Sequence, residues 1–168
     1  MTVALESDAI LKDGTVVHIR PIRPDDEARL IEFSRLLSPQ SVYQRFFNAL
    51  SELPPDVAHR LANVDYHQRM ALVAEVAGQP VAVVRWEPSD QPGMVELALV
   101  VLDEWQNRGI GRIVLRETMR IAQAHGIRRF RADVLAENRR MLRLLATEAA
   151  IVERRTEGGV ATLILEPR

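Results

Sequence analysis

Apolar and polar residues along the chain follow two periods. TVVHIR, from Thr15 to Arg20, has strand character, and Pro21 and Pro24 break it before Asp25 and Asp26 open a helix ending near Leu37. Ser38 with Pro39 caps a short helix over SVYQRFF, and PPDVAHRLANV begins another with proline at its opening. MALVAEVAG and PVAVVRWEP then read as strands flanking Gly78 and Gln79 at hairpin spacing, followed by MVELALVVL, the most strand-like run of the chain. From Ile110 to about His125 the period becomes helical. Ile110, Val114, Leu115, Met119, Ile121 and Ala122 share one face, Arg112, Arg116 and Arg120 recur every four residues on the other, and Gly126 closes the helix. In RFRADVL, Phe130, Ala132 and Val134 alternate with Arg131 and Asp133 as a half-buried strand requires. A helix over NRRMLRLLATE and a hairpin of IVERR and VATLIL around EGG complete the chain. The pattern is α/β (α+β), with about seven strands and four or five helices.

Composition narrows the class. The 168 residues contain no repeat, low-complexity tract or dividing linker, so one domain over residues 1–168 is expected. A net charge of -1, with 47% hydrophobic and 27% charged residues, gives no global attraction to nucleic acid or anionic membrane. Neither is expected as a partner, and any electropositive site must be local. The absence of cysteine suits a reducing compartment, and MTVALESDAI has neither the basic flank nor the apolar core of a secretory signal, so a cytoplasmic location is expected. The four histidines, His18, His59, His67 and His125, lack metal-ligand spacing, and no metal is expected. Oligomeric state is left open.

The chemistry concentrates in DEWQNRGIGRIVL, from Asp103 to Leu115, where a strand runs through Gly109 and Gly111 into a helix. Such a turn exposes backbone N–H groups at a helix N-terminus, and its aligned dipoles favour an anion such as phosphate. Glycines let the anion approach the backbone, and Arg108 and Arg112 supply charge. Val114 stands where a dinucleotide fingerprint needs a third small residue, and no Gly-Lys-Ser/Thr of a P-loop is present. Gln-x-x-Gly-x-Gly, written here from Gln106 to Gly111 behind an apolar strand, resembles the acyl-CoA signature of the GNAT superfamily of N-acetyltransferases. The order of elements over nearly all the chain follows the same family.

The resemblance implies a central mixed, mostly antiparallel sheet and acetyl-CoA as acyl donor. It implies that Leu99, Val100 and Val101 line an opening for the pantetheine arm. Gln106, Arg108, Gly109, Ile110, Gly111 and Arg112 would form the pyrophosphate turn, and Asn138, with Met141 three places on, would lie beside the CoA arm. Between Arg108 and Arg143 ten arginines meet three carboxylates, a local excess that complements a polyanion. IRPIRPDDE, SPQSVYQRFF and NRRMLRLL are similar to segments of bacterial GNAT domains that acetylate protein lysines, in which a Tyr-x-Arg-Phe-Phe-like segment lies beside the acceptor. The plainer reading of Tyr43, Phe46 and Phe47 is a core cluster.

Acyl transfer needs a neutral amine, and a group with a pKa of about 10.4 is neutral at pH 7 roughly once in 2,500. A positioned carboxylate is therefore required. Glu96 interrupts the apolar run of VELALVVL, an expensive place for charge unless paired or wet, and matches the general base of lysine-acetylating relatives. Its alternative role is an ion pair with Arg85, and Glu75 is the runner-up base. The backbone N–H of Val101 is the expected donor to the developing oxyanion. Leu145 and Ala149-Ala150 replace the tyrosine and the Gly-Phe pair that many family members carry, so no general acid is visible there. Tyr43 and Tyr66 are the candidate substitutes. The expected function is acetyl transfer to a primary amine, with a protein lysine favoured over a small amine. The alternatives are a non-catalytic acyl-CoA-binding regulatory module and a phosphate-loop protein of another class.

Overall fold

A computed structural model describes residues 5–47 and 51–168. Among them are eight strands: β1 (Ser7–Ile10), β2 (Val16–Pro21), β3 (Met70–Val76), β4 (Gln79–Pro88), β5 (Met94–Val101), β6 (Arg129–Leu135), β7 (Ala149–Glu157) and β8 (Val160–Pro167). Five α-helices accompany them: α1 (Glu27–Leu36), α2 (Pro39–Phe46), α3 (Pro55–Ala62), α4 (Ile110–Ala124) and α5 (Arg139–Glu148). The strands form one sheet in the order β1-β2-β3-β4-β5-β6-β8-β7, antiparallel throughout except at β5 and β6. The mixed α/β class and mostly antiparallel sheet agree with expectation. β1 is the strand beyond the expected seven, a four-residue edge too short for its alternation to stand out.

The β3–β4 turn also differs, by one residue. Gln79 is already in β4, and Ala77 (φ 51°) and Gly78 (φ 78°) make the turn. Two successive left-handed residues match the twist of a tight hairpin.

Strand alternation divides the molecule into two layers. On β5, Leu99 and Val101 face the start of α4, whereas Val100 shares the opposite side with Val83 and Arg85, beneath Leu30 and Phe33 of α1 and Leu61 of α3. Trp86, Leu115, Ile121 and Phe130 are fully buried in the core. Of the three aromatic residues expected to cluster there, Phe46 packs against the core, but Tyr43 is 46% and Phe47 37% exposed. Phe47 ends α2 in a left-handed conformation (φ 56°), which swings its ring off the buried face.

The Pro-rich segment after β2 closes around a buried ion cluster. Both Nη atoms of Arg20 donate to the Asp26 carboxylate, at 2.9 and 2.8 Å, and Nη2 also reaches Glu75 at 3.1 Å. The Arg23 N–H and Arg29 complete the shell of Asp26. Burial alone would raise the Asp26 carboxyl, but Arg20, the Arg23 N–H and Arg29 together hold it down, to about 2. Glu75 therefore has a structural partner.

Candidate active site

β5 and β6 are paired only from Met94–Glu96 to Arg129–Arg131. Beyond Glu96 they part, and Leu97 to Val101 face Ala132 to Val134 across a cleft of about 990 Å³. Glu96 stands where the two strands diverge.

The open edge of β5 presents specific backbone groups. Leu102 N–H donates to Val81 carbonyl at 2.9 Å, and the next rung, Val101 opposite Ala82, is consequently one whose N–H and C=O point away from β4. Leu99, opposite Val84, follows the same alternation. Both residues thus turn main-chain groups into the cleft. The Val101 carbonyl accepts from Gln106 Nε2 at 2.9 Å, which leaves its N–H available.

The glycine turn closes one end. Asn107 and Gly109 are left-handed, with φ 62° and 93°, and Ile110 starts α4. Gln106 N–H donates to Asp103 carbonyl and Ile113 N–H to Gly109 carbonyl; among the described residues, no N–H between these two donates to another backbone group. Six consecutive amides, Asn107 to Arg112, therefore surround one helix terminus without internal partners, the electrostatics of an anion site. At Gly111 an added Cβ would meet Leu144 at 3.2 Å, with Leu99 and Val101 just beyond.

Of the expected cofactor residues, Leu99, Val100, Val101, Gln106, Arg108, Gly109, Gly111, Arg112, Asn138 and Met141 line this cleft. Ile110 is 1% exposed: its side chain belongs to the core, and what it offers the turn is its backbone amide. Asn138 caps α5, accepting from Met141 N–H at 3.3 Å. Arg108 donates to Asp13 at 2.6 Å and its guanidinium lies 4.1 Å from the centre of the Trp105 ring. Thr15 first, and then Arg108, hold the Asp13 carboxyl down to about 2. The turn between β1 and β2 thereby forms a wall of the cleft, a placement without any sequence signal.

Two further features escaped sequence reasoning. Arg139 and Arg140 line the cleft, Arg140 bonding Gln106 Oε1, where the pattern showed only a basic helix face. Asp103 accepts from Ser38 N–H and Oγ at 3.0 and 2.7 Å and from Ser41 Oγ at 3.0 Å, tying the start of α2 to the turn that follows β5. Burial pushes the Asp103 carboxyl up, and Ser38 and Ser41 outweigh it to leave it lowered.

Glu96 is exposed, so the apolar run around it imposes no buried charge. Its strand neighbours are Glu87 on β4 and Arg131 on β6. The ion pair considered for it with Arg85 is absent: Arg85 lies opposite Ala98, donates to Leu61 carbonyl at 3.1 Å and approaches Glu87 at 3.6 Å. Glu75, tied to Arg20 two strands from β5, is remote from the cleft and is corrected as a candidate base. Tyr66 donates to Ile22 carbonyl at 2.6 Å, and neither it nor Tyr43 lines the cleft; Leu145 does. Among the described residues no group of three or more His, Asp or Glu side chains is placed to hold a metal ion, and no helix is long and apolar enough to cross a membrane.

The acetyltransferase (GNAT) family matches residues 36–147. This chain belongs to the GNAT family. The GNAT domain of the S. lividans protein PAT superposes with a TM-score of 0.89 at 33% identity, over 96% of each chain. An acetyltransferase of Pseudomonas aeruginosa is 32% identical over 135 residues, 78% of this chain and 73% of its own length. Acetyltransferase Pat of Mycolicibacterium smegmatis is 27% identical over 160 residues, covering 94% of this chain, which spans only 48% of that relative. The GNAT chain is thus an acetyl-CoA-dependent N-acetyltransferase. In this family acetyl-CoA is the donor and an amine the acceptor.

Proposed function

We propose that the enzyme transfers the acetyl group of acetyl-CoA directly to the amine of a protein lysine, with Glu96 as general base and the Val101 N–H stabilising the carbonyl oxygen. The observation that carries this reading is the parting of β5 from β6 immediately beyond Glu96. Glu96 is the last paired residue of β5 and exposed; it does not itself line the cleft, which begins at Leu97, but it adjoins the opening into which Leu99 and Val101 turn their backbone groups. The names of the relatives in S. lividans and M. smegmatis support a protein acceptor.

In the proposed reaction, Glu96 takes a proton from the acceptor ammonium, directly or through water. The amine nitrogen then bonds to the acetyl carbon, and oxyanion charge develops against the Val101 N–H. Such fixed donors are worth several kcal/mol because they need no reorganisation. The carbon–sulfur bond breaks as the tetrahedral species collapses, the CoA sulfur leaves with the electron pair, and the second proton of the amine nitrogen passes to the thiolate or to water, giving the amide and CoA thiol. With a thiol pKa of about 8.5 that thiolate is a tolerable leaving group, so Leu145 in the tyrosine position does not forbid turnover. The backbone amides from Asn107 to Arg112, assisted by Arg112, Arg139 and Arg140, would hold the diphosphate.

Thiol release with acetyl-CoA and lysine peptides tests the reading. Glu96→Gln is expected to bind acetyl-CoA like the wild type in calorimetry while turnover falls about 10²- to 10⁴-fold. Undiminished turnover in this variant would remove Glu96 as base. Tight CoA binding with no thiol release from wild type on peptides, polyamines or amino acids would instead favour a non-catalytic module.

A further inference from the structure

Arg45 lies in the last turn of α2, half-buried, and forms no ion pair with a carboxylate. All carboxylate side chains of the sequence lie among the described residues, and none is in ion-pair contact with Arg45. Among the described residues Arg45 makes a cation–π contact with its neighbour Phe46, whose ring centre lies 4.6 Å from the guanidinium carbon. Nearby arginines are already committed. Arg69 donates to Glu87 at 2.6 Å and to the carbonyls of Asn63 and Arg60 at 3.0 and 2.9 Å, and Arg85 holds Leu61 carbonyl and approaches the same Glu87. One carboxylate thus serves two arginines, and Arg45 remains an uncompensated third. Burial, opposed by Glu87 and reinforced by Arg60, presses down the proton affinity of the Arg45 guanidinium. A guanidinium keeps its proton near neutral pH, so this half-buried cation is left without a carboxylate partner from the chain.

The location shows what that anion belongs to. On one face of β4 and β5 the rungs Val83/Val100, Arg85/Ala98 and Glu87/Glu96 follow in order. Arg45 lines a small pocket with Val83, Arg85 and Val100 and also lines the main cleft, as Ala98 does. It therefore lies on the same face of β5 as Glu96, two to four residues along, or ~7–13 Å. Ala98, the smallest side chain between them, leaves that path open.

We infer that Arg45 is a recognition group for a carboxylate on the acceptor, separated from the reacting amine by about the length of a lysine side chain. This inference rests on the proposed role of Glu96 in marking where the amine reacts. A carboxylate at that spacing is either the acceptor lysine's own, in a free or C-terminal lysine, or an acidic residue flanking it in a peptide. The forked guanidinium would take it through two parallel N–H donors.

Matched acceptors provide the test. Nα-acetyl-lysine and Nα-acetyl-lysinamide carry the same ε-amine but only the first has a carboxylate; lysine peptides with flanking Glu or flanking Gln form the second pair. Wild type is expected to favour the acidic member of at least one pair about ten- to hundredfold in kcat/KM, mainly through KM. The pair that responds identifies the source of the carboxylate. Arg45→Gln should bring the ratio to near one, and Arg45→Lys, which keeps the charge but loses the fork, should fall between. Because Arg45 has no internal counter-ion, neither variant should melt lower than wild type, which separates recognition from a folding role. Calorimetric titration of the CoA-bound protein with the same two small acceptors gives a readout independent of turnover. It distinguishes failure of the chemistry from failure of this inference. A wild-type protein that ignores the carboxylate in both rate and binding, or a preference that survives Arg45→Gln, would overturn it.

Discussion

The Gln106 side-chain amide donates to the Val101 carbonyl at 2.9 Å. This bond crosses from the turn to the last residue of β5 and occupies the acceptor half of a peptide pair that otherwise opens into the cleft. The glutamine of the family motif therefore acts here as a brace: it fixes the angle between the open strand edge and the amide-lined turn, with Arg140 bound to its other end.

Removing the brace should loosen both. Gln106→Ala gives up a hydrogen bond worth about 1 kcal/mol and leaves a cleft-facing carbonyl unpaired, so the acetyl-CoA dissociation constant should rise about five- to tenfold. Gln106→Glu cannot donate and should be no better. Isothermal titration of the three proteins decides the matter, and equal affinities would show that the turn holds its shape without the brace.

The two glycines should separate by mechanism. Gly109 sits at φ 93° with open space around it, so Gly109→Ala meets backbone strain of about 1–2 kcal/mol and should lower the melting temperature by several degrees. Gly111 lies inside α4, where alanine is favoured by about 1 kcal/mol, and its new methyl would touch only the flexible end of Leu144 before reaching the cleft wall. Gly111→Ala should therefore melt close to wild type and bind acetyl-CoA several-fold more weakly. Calorimetry and thermal melts together check both, and the reverse assignment of the two losses would contradict the account.

Asp26 ties acid stability to a cluster far from the chemistry. Its carboxyl is held at about 2, below the ordinary value, so its contribution is complete above about pH 4 and disappears as pH falls through about 2. Asp26→Asn leaves the 2%-exposed Arg20 side chain with Glu75 as its remaining carboxylate and should cost about 2 kcal/mol at pH 7. The difference from wild type should shrink towards pH 2. Urea unfolding at pH 7 and pH 3 measures the gap; an identical gap at both would detach Asp26 from acid stability.

Particular residues show how far patterns reach. The helical spacing of Ile110 puts it on the buried face of α4, and the same spacing explains why its side chain leaves the cleft while its amide stays. Glu75 and Glu96 look alike in sequence, each a carboxylate in an apolar strand. Their difference lies in Arg20, 55 residues from Glu75, which occupies the first carboxylate and has no counterpart at the second. Phe47 follows a helical apolar pattern yet is turned outward, because the helix ends one residue before it.

Local order in the chain was enough to specify seven of the eight strands, the five helices and the glycine turn, because period, capping and backbone freedom act between residues a few positions apart. Which groups stay unpaired was decided only in three dimensions. Asp13 reaches Arg108 across 95 positions, Asp103 anchors Ser38 across 65, and Arg45 is left without an anion because Glu87 is shared by Arg69 and Arg85. Charge compensation depends on distance through space, and packing brings together partners that chain order keeps apart.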